Sequence, residues 1–443
     1  GGGVSALKLL QAPAMSARLA LAAYSLLMRV ALPLVFLRYA WRARREPLYG
    51  AHWAERLGYA DGPQRPGRLW LHAVSLGETR AAAALLEALR EQQPGLRLLL
   101  THGTATGREA GRALLREGDA QCWLPCDTPG ATRRFLRAHR PVVGVLMETE
   151  VWPNLLAAAR HEAVPLVLAN ARLSQRSLVK GLRLQALMRP AAAAFTRVLA
   201  QTDDDAQRLR QIGAAPVDVS GNLKFDISPD AAQLAQGRQW RRAAGRPVVL
   251  AAITREGEEQ PLLQAWARLP APRPLLLLVP RHPQRFDEVA ALVAAAGLTL
   301  VRRSSWAAQP PAGAAGVDVW LGDSLGEMPL YYGMADVALL GGSFAPRGGH
   351  NLIEAAACGC PLLMGPHTFN FMQAAQWAEA AGAAERVADM PAGVARAVVV
   401  VGVVADPDRA AWAARALAFA ALHRGAAARM ATAVLAVPIV KAR

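Results

Sequence analysis

The chain has 443 residues, more than one hydrophobic core usually serves, so two domains are expected on length alone. Fifty basic residues against 34 acidic ones give a formal charge of +16, a field that favours anionic partners: nucleic acid, acidic lipid or phosphorylated small molecules. Arginine is spread along helices, with no helical reader, aromatic stacking sheet or dense basic run, and nucleic acid is therefore set aside as a partner.

Residues 1–15, opening Gly-Gly-Gly, read as an extension ahead of the natural start, non-native or disordered. Residues 16–45 read as a membrane-anchor helix with a basic flank. From Leu19 to Leu37 the run is apolar apart from Arg29, Pro33 and the Tyr24-Ser25 pair, close to the roughly 20 residues a bilayer span takes. A charge at mid-helix is costly, so a shallow or tilted helix with Arg29 snorkelling to the surface is the second reading, and a core helix the third. Arg38, Arg42, Arg44 and Arg45, with Tyr39 and Trp41 among them, place the rest of the chain on the cytoplasmic side of a membrane and argue against a cleaved signal peptide.

Short apolar runs then alternate with longer amphipathic ones. Arg68–Val74, Leu96–Thr101, Val142–Met147, Leu166–Asn170 and Val198–Gln201 are predicted strands of a parallel sheet wrapped by helices. After the polar stretch Asp226–Arg241 the pattern restarts, with strands at Val248–Ala252, Leu275–Val279, Leu298–Val301, Val317–Leu321 and Val337–Leu340. The spacing predicts two α/β domains, residues 46–230 and 231–443, the second including amphipathic helices of the Ala-rich tail. Ligands of such sheets bind beyond the carboxyl ends of the strands.

Most chemistry-bearing residues come directly after a predicted strand. Glu78 closes His72-Ala-Val-Ser-Leu-Gly-Glu78 at a strand-to-helix turn, and two readings stand: a cap of its own helix, or a general base held ionised by the helix N-terminus. Glu148 and Glu150 flank Thr149 and face the same way on extended chain, so they need partners if buried; they are a structural pair or one of them meets a ligand. Lys224 in Gly221-Asn-Leu-Lys-Phe-Asp226 is a surface lysine or a cation for a departing phosphate. In Pro280-Arg-His282, Arg281 has the fork to grip a phosphate, and His282 is a second ligand or a loop histidine. Gly348-Gly-His-Asn-Leu-Ile-Glu354 offers backbone N–H groups at Gly348 and Gly349 for phosphate and Glu354 for ribose hydroxyls. Cys122, Cys126, Cys358 and Cys360 lack zinc-site spacing and are expected to be free, buried thiols; no metal site is expected.

These passages, with Met147-Glu-Thr-Glu-Val-Trp-Pro-Asn154 and Gly365-Pro-His-Thr-Phe-Asn370, resemble the lipid A Kdo transferases, the 3-deoxy-D-manno-octulosonic acid transferases, in order from about Leu19 into the final helices. The resemblance implies a GT-B glycosyltransferase: two Rossmann-like, doubly wound α/β domains facing a cleft, with a membrane-associated N-terminal helix. It implies Glu78 as general base and Glu148 and Lys224 as supports of the transition state. CMP would be held at Pro280 and Arg281, at Leu325, Gly326 and Glu327, and at Asn351, Leu352, Ile353 and Glu354. The implied reaction is inverting transfer of Kdo from CMP-Kdo to lipid IVA, a lipid A precursor, at the cytoplasmic face of the inner membrane in lipopolysaccharide biosynthesis, without a cofactor beyond the donor. The chain departs from the family where Ile253-Thr-Arg-Glu-Gly-Glu-Glu259 replaces a Ser-Thr-His-Glu-Gly-Glu-Glu loop, and where Leu352 and Ala355 stand in place of prolines.

Overall fold

A computed structural model describes residues 16–62, 64–402 and 407–438; the expected extension, residues 1–15, lies outside the described residues. The chain divides into two compact units, residues 1–226 with 425–443, and residues 227–424.

The first unit is built on seven parallel strands: β1 (Leu69–His72), β2 (Leu98–His102), β3 (Ala120–Trp123), β4 (Val143–Met147), β5 (Leu166–Ala171), β6 (Arg197–Ala200) and β7 (Val217–Val219), in the order β3-β2-β1-β4-β5-β6-β7. Strand residues alternate between two cores, as the pleat requires. Leu69, Leu71, Val143, Val145 and Met147 point into one, Trp70, Leu99, Leu146 and Leu168 into the other. Helices cover both faces, which is why the strands read as continuous apolar runs.

The first core is closed by helix Leu76–Gln92 and by the final helix, Ala426–Leu435, whose Ala426, Ala427, Met430, Ala431 and Val434 are buried in it. The expectation from sequence places that helix in the tail of the second domain. It joins the first unit instead because its apolar face fits helix Leu76–Gln92, and because the Asp226 carboxylate accepts hydrogen bonds from Gly425 N at 2.7 Å and Ala427 N at 2.9 Å. An acidic cap of this kind satisfies orphan N–H groups at the helix start.

The second unit repeats the plan with β8 (Val248–Thr254), β9 (Leu275–Pro280), β10 (Leu300–Arg302), β11 (Val319–Leu321), β12 (Val337–Leu340), β13 (Leu362–Met364) and β14 (Ala384–Arg386), all parallel, in the order β10-β11-β9-β8-β12-β13-β14. The polar stretch after Asp226 folds as helix Ala231–Ala244, with Trp240 buried. Strand order reverses between β1 and β4 in the first sheet and between β8 and β12 in the second. Crevices open at the carboxyl ends of the strands flanking such reversals.

The N-terminal apolar run forms one helix, Ala17–Ala43, long and apolar enough to cross a membrane. It lies against the first unit. Tyr24 donates to Asp127 Oδ2 at 2.9 Å and Ser25 to Asn154 Oδ1 at 2.7 Å, so the polar pair within the run faces protein. The four cysteines are free.

Candidate active site

At the reversal point of the first sheet, β1 runs through Ala73 into helix Leu76–Gln92. Ser75 is the N-cap and accepts from Glu78 N, while Glu78 Oε2 accepts from Val74 N at 2.8 Å, a reciprocal arrangement close to a capping box. Glu78 therefore does cap its helix entry, and this fixes its carboxylate beside the end of β1. Burial raises its pKa; Glu148 and Glu150 push the same way, while the Val74 N–H and His72 pull it down. The helix N-terminus does not dominate. A carboxyl raised in this way moves toward the pH at which a base works best.

β4 delivers Glu148 and Glu150. Glu148 is 2% exposed and sits at φ 58°, a left-handed conformation that non-glycine residues seldom hold without support from their surroundings. Its support is ionic: Lys224 Nζ lies 3.1 Å from Oε1 and Arg172 Nε 3.1 Å from Oε2. Glu150 accepts from Trp152 Nε1 at 2.5 Å and stands 3.6 Å from His72 Nε2. Glu78, Glu148, Lys224, Glu150 and the buried His72 thus converge on one strand-end crevice.

Lys224 reaches Glu148 from the turn after β7, which is held by a polar net that the sequence pattern does not announce. Asn170 Oδ1 accepts from Leu223 N at 3.0 Å, Gln201 Nε2 donates to the Asn170 carbonyl at 2.9 Å, and Asn222 Nδ2 donates to Gln201 Oε1 at 2.9 Å. Arg172 is equally unannounced. The one signal for Arg172 and Gln201 is their place directly after β5 and β6.

The second reversal point has the opposite charge. Arg281 sits directly after β9, and its N–H bonds the Thr254 carbonyl at 3.0 Å, tying it to the end of β8. Arg255 lies on the neighbouring loop, and among the described residues neither guanidinium has an acidic partner. Their field reaches two imidazoles. Burial together with Arg281 and Arg255 lowers His350 to about 4, and partial burial with the same arginines and Arg285 lowers His282. Both imidazoles are held toward the neutral form.

The loop between β8 and its helix is shaped by Glu258, a member of the Ile253–Glu259 motif to which the sequence pattern gives no role of its own. It is 1% exposed, and its Oε2 accepts from Gly342 N and Arg255 N at 2.8 Å each, its Oε1 from Phe344 N and Ala345 N at 3.0 Å each. Four backbone donors thus fold the Gly341-Gly-Ser343 turn around one carboxylate. The turn needs glycine at Gly341, where a Cβ would stand 2.1 Å from the Ile253 carbonyl oxygen. Ile253 itself is held at φ 59°, a rare conformation for a β-branched residue, and marks the same loop as strained.

The remaining candidates divide. Glu354 is half buried, burial alone raises its pKa, and no hydrogen-bond donor among the described residues reaches its carboxylate. Leu352 and Ile353 are buried in the unit, backbone included, at 1% and 0% exposed. Asn351 Oδ1 accepts from Ile353 N at 3.0 Å. Gly349 N–H is committed to the Gly342 carbonyl at 2.8 Å, which corrects the expectation that it is free for phosphate. Pro280 ends β9, and Leu325 is exposed beside Gly326, which is at φ 75°. Glu327 is engaged by Arg303 at 2.9 and 3.1 Å.

Two parallel seven-stranded sheets, each wrapped by helices and carrying charged side chains at its strand ends, are the architecture of the GT-B class. The solved structure of MurG from Acinetobacter baumannii shares this fold, with a TM-score of 0.53 at 14% identity over 84% of this chain and 99% of that one. Residues 51–227 match the family model of the 3-deoxy-D-manno-octulosonic-acid transferases (kdotransferases). The chain is 50% identical over 425 residues to the 3-deoxy-D-manno-octulosonic acid transferase of Bordetella pertussis, covering 92% of this chain and 96% of that protein. It is 34% identical over 359 residues to the enzyme of the same name from Haemophilus influenzae, covering 79% and 82%. The chain belongs to this family, the Kdo transferases of lipopolysaccharide biosynthesis.

Proposed function

We propose that the enzyme transfers Kdo from CMP-Kdo to lipid IVA with inversion at the anomeric carbon, on the cytoplasmic face of the inner membrane. The observation that carries this reading is the division of charge between the units: a raised, positioned carboxylate in the first, and in the second, among the described residues, two guanidiniums without acidic partners and a half-buried carboxylate without a donor. In the first unit Glu78 takes the proton of the acceptor hydroxyl as its oxygen bonds to the anomeric carbon and the bond to the CMP phosphate breaks. Lys224, held by Glu148, offers positive charge to the reacting centre from a side chain that is 46% exposed.

In the second unit Arg255 and Arg281 grip the phosphate, and the Glu354 carboxylate receives ribose hydroxyls that replace its missing donors. Pro280, the Leu325–Glu327 turn and Asn351, set on the buried Leu352 and Ile353, frame the cytidine. The N-terminal helix, apolar and basic-flanked, supports residence at a membrane, where an acylated, phosphorylated acceptor is found.

The test is incubation of wild type and Glu78→Gln with CMP-Kdo, generated in place, and lipid IVA, followed by mass spectrometry of the lipid. Wild type is expected to add Kdo mass and Glu78→Gln to lose about 10²–10⁴ of the rate. The wild-type rate should climb with pH through a value above the ordinary glutamate range, since the raised carboxyl must lose its proton to act. Unmodified lipid IVA after incubation with a folded wild type that binds CMP would remove the acceptor assignment.

A further inference from the structure

The N-terminal helix has the length and hydropathy of a membrane span, yet its burial has a helical period from end to end. Ala20, Ser25, Met28, Leu32, Phe36 and Tyr39 are buried or half buried against the first unit, one per turn, and Ala43 closes the series. A helix of 27 residues is about 40 Å long, and it rests on protein for that whole length. Both ends are fastened. Tyr24 and Ser25 reach Asp127 and Asn154, and the ring of Tyr39 lies stacked 6.0 Å from Tyr49, with the guanidinium of Arg56 3.8 Å above it.

The opposite face is a stripe of Leu19, Leu26, Val30, Leu34, Leu37 and Trp41, each between 59% and 69% exposed. At about 100° per residue, Arg18 and Arg29 fall on one margin of that stripe and Arg38 on the other. An apolar band edged on both sides by arginine is the pattern of a helix lying in the headgroup layer, where the leucines enter the acyl boundary and the cations meet lipid phosphate. Along the first margin runs a groove lined by Arg18, Leu21, Arg29, Arg133 and His161, with the size and charge for a phosphorylated headgroup. Glu162, beside the groove, is engaged by Arg137 at 3.0 Å, His161 at 3.1 Å and Arg133 at 3.8 Å, which leaves Arg18 and Arg29 as the groove's cations without an acidic partner among the described residues.

A spanning orientation would require either stripping the helix from the unit, which leaves Asp127 and Asn154 without their side-chain partners, or drawing a charged domain face into hydrocarbon with Arg29 near the bilayer centre. We infer that helix Ala17–Ala43 does not cross the bilayer: it lies flat in one leaflet of an anionic membrane, inserted by its leucine stripe and held to the first unit along its other face. This rests on the membrane association proposed above.

The experiment uses full-length protein carrying Cys126→Ser, with single cysteines at Leu19, Leu26, Leu34 or Trp41 labelled with a nitrobenzoxadiazole dye and mixed with vesicles of phosphatidylethanolamine and phosphatidylglycerol. The four dyes are expected at one shallow depth by spin-labelled lipid quenching, and dithionite added outside should bleach the Leu19 and Trp41 dyes alike. A depth that rises to a maximum near Val30, with one end protected from dithionite, overturns the in-plane placement while keeping the membrane reading. Failure of the unlabelled protein to bind the vesicles overturns both. Leu26→Glu and Leu34→Glu, on the open face, should each weaken vesicle binding about tenfold with the melting temperature unchanged; unaltered binding counts against the stripe.

Discussion

The crevice after β1 and β4 and the crevice after β8, β9 and β12 share a topology and differ in sign. The first gathers Glu78, Glu148 and Glu150, sinks Glu148 almost completely and anchors it to Lys224 and Arg172. The second gathers Arg255 and Arg281, which lack acidic partners among the described residues, and lowers two imidazoles; the same unit holds Glu354 without a donor among those residues. On the proposed function, the groups that hold a geometry through the reaction are the ones cross-braced inside the protein, and the groups that receive a ligand are the ones with hydrogen-bonding capacity unspent. The fold decides where each crevice opens; the side chains decide whether it performs chemistry or binds.

The contrast breaks first at Lys224. Lys224→Ala leaves Glu148 with Arg172 alone, and transfer should fall about 10²–10³ with little change in CMP affinity; an equal loss of CMP binding would end the division of labour. Next is Glu258→Ala, which strips four N–H groups, one buried and three partly buried, of their acceptor. At about 1–3 kcal/mol for each donor left unsatisfied, and with water filling part of the space, the second unit should lose about 3 kcal/mol or more. Hydrogen exchange that rises across residues 341–345 while the β1–β4 peptides stay protected is the expected signature.

Arg281→Ala tests the open crevice itself. Removing one charge-assisted contact should weaken CMP about 10- to 100-fold in calorimetry, and raise the KM for donor with kcat nearly kept. The smallest effect is expected at Glu354. Burial raises this carboxyl in the folded chain, so the folded state keeps its proton to higher pH than the unfolded chain does, and stability declines as pH climbs from the ordinary glutamate value through the raised one. Glu354→Gln should therefore melt slightly higher than wild type at neutral pH, match it at acidic pH, and bind CMP less well. A variant that melts lower at neutral pH would show that Glu354 is structural, like Glu148.

Ten of the strands are legible in the sequence because each lies in an apolar run bounded by turns. β3, β7, β13 and β14 are not: Val217–Val219 and Ala384–Arg386 hold three residues with two and one apolar side chains, and Ala120–Trp123 and Leu362–Met364, though largely apolar, span only four and three residues, too few for a period to register. Glu78, Glu148 and Arg281 are visible because they come after strong strands. The Glu148–Lys224 pair joins β4 to a turn beyond β7, and no local spacing encodes it. Glu258 stands in plain view within Glu256-Gly-Glu-Glu259, but its function is to bind backbone N–H groups of residues 342, 344 and 345, which carry no side-chain signature.

The bond from Asp226 to Gly425 and Ala427 has a consequence for how the molecule can be cut. The polypeptide leaves the first unit at residue 226 and returns at 425, and those two points are fastened together. In topological terms everything from 227 to 424 is one long excursion from a body that is already complete around it. A short flexible bridge from 226 to 425 should yield a free-standing first unit that carries Glu78 and is closed by its own last helix. Trimming the carboxyl terminus back past Ala426, by contrast, would injure the portion of the protein that is made first.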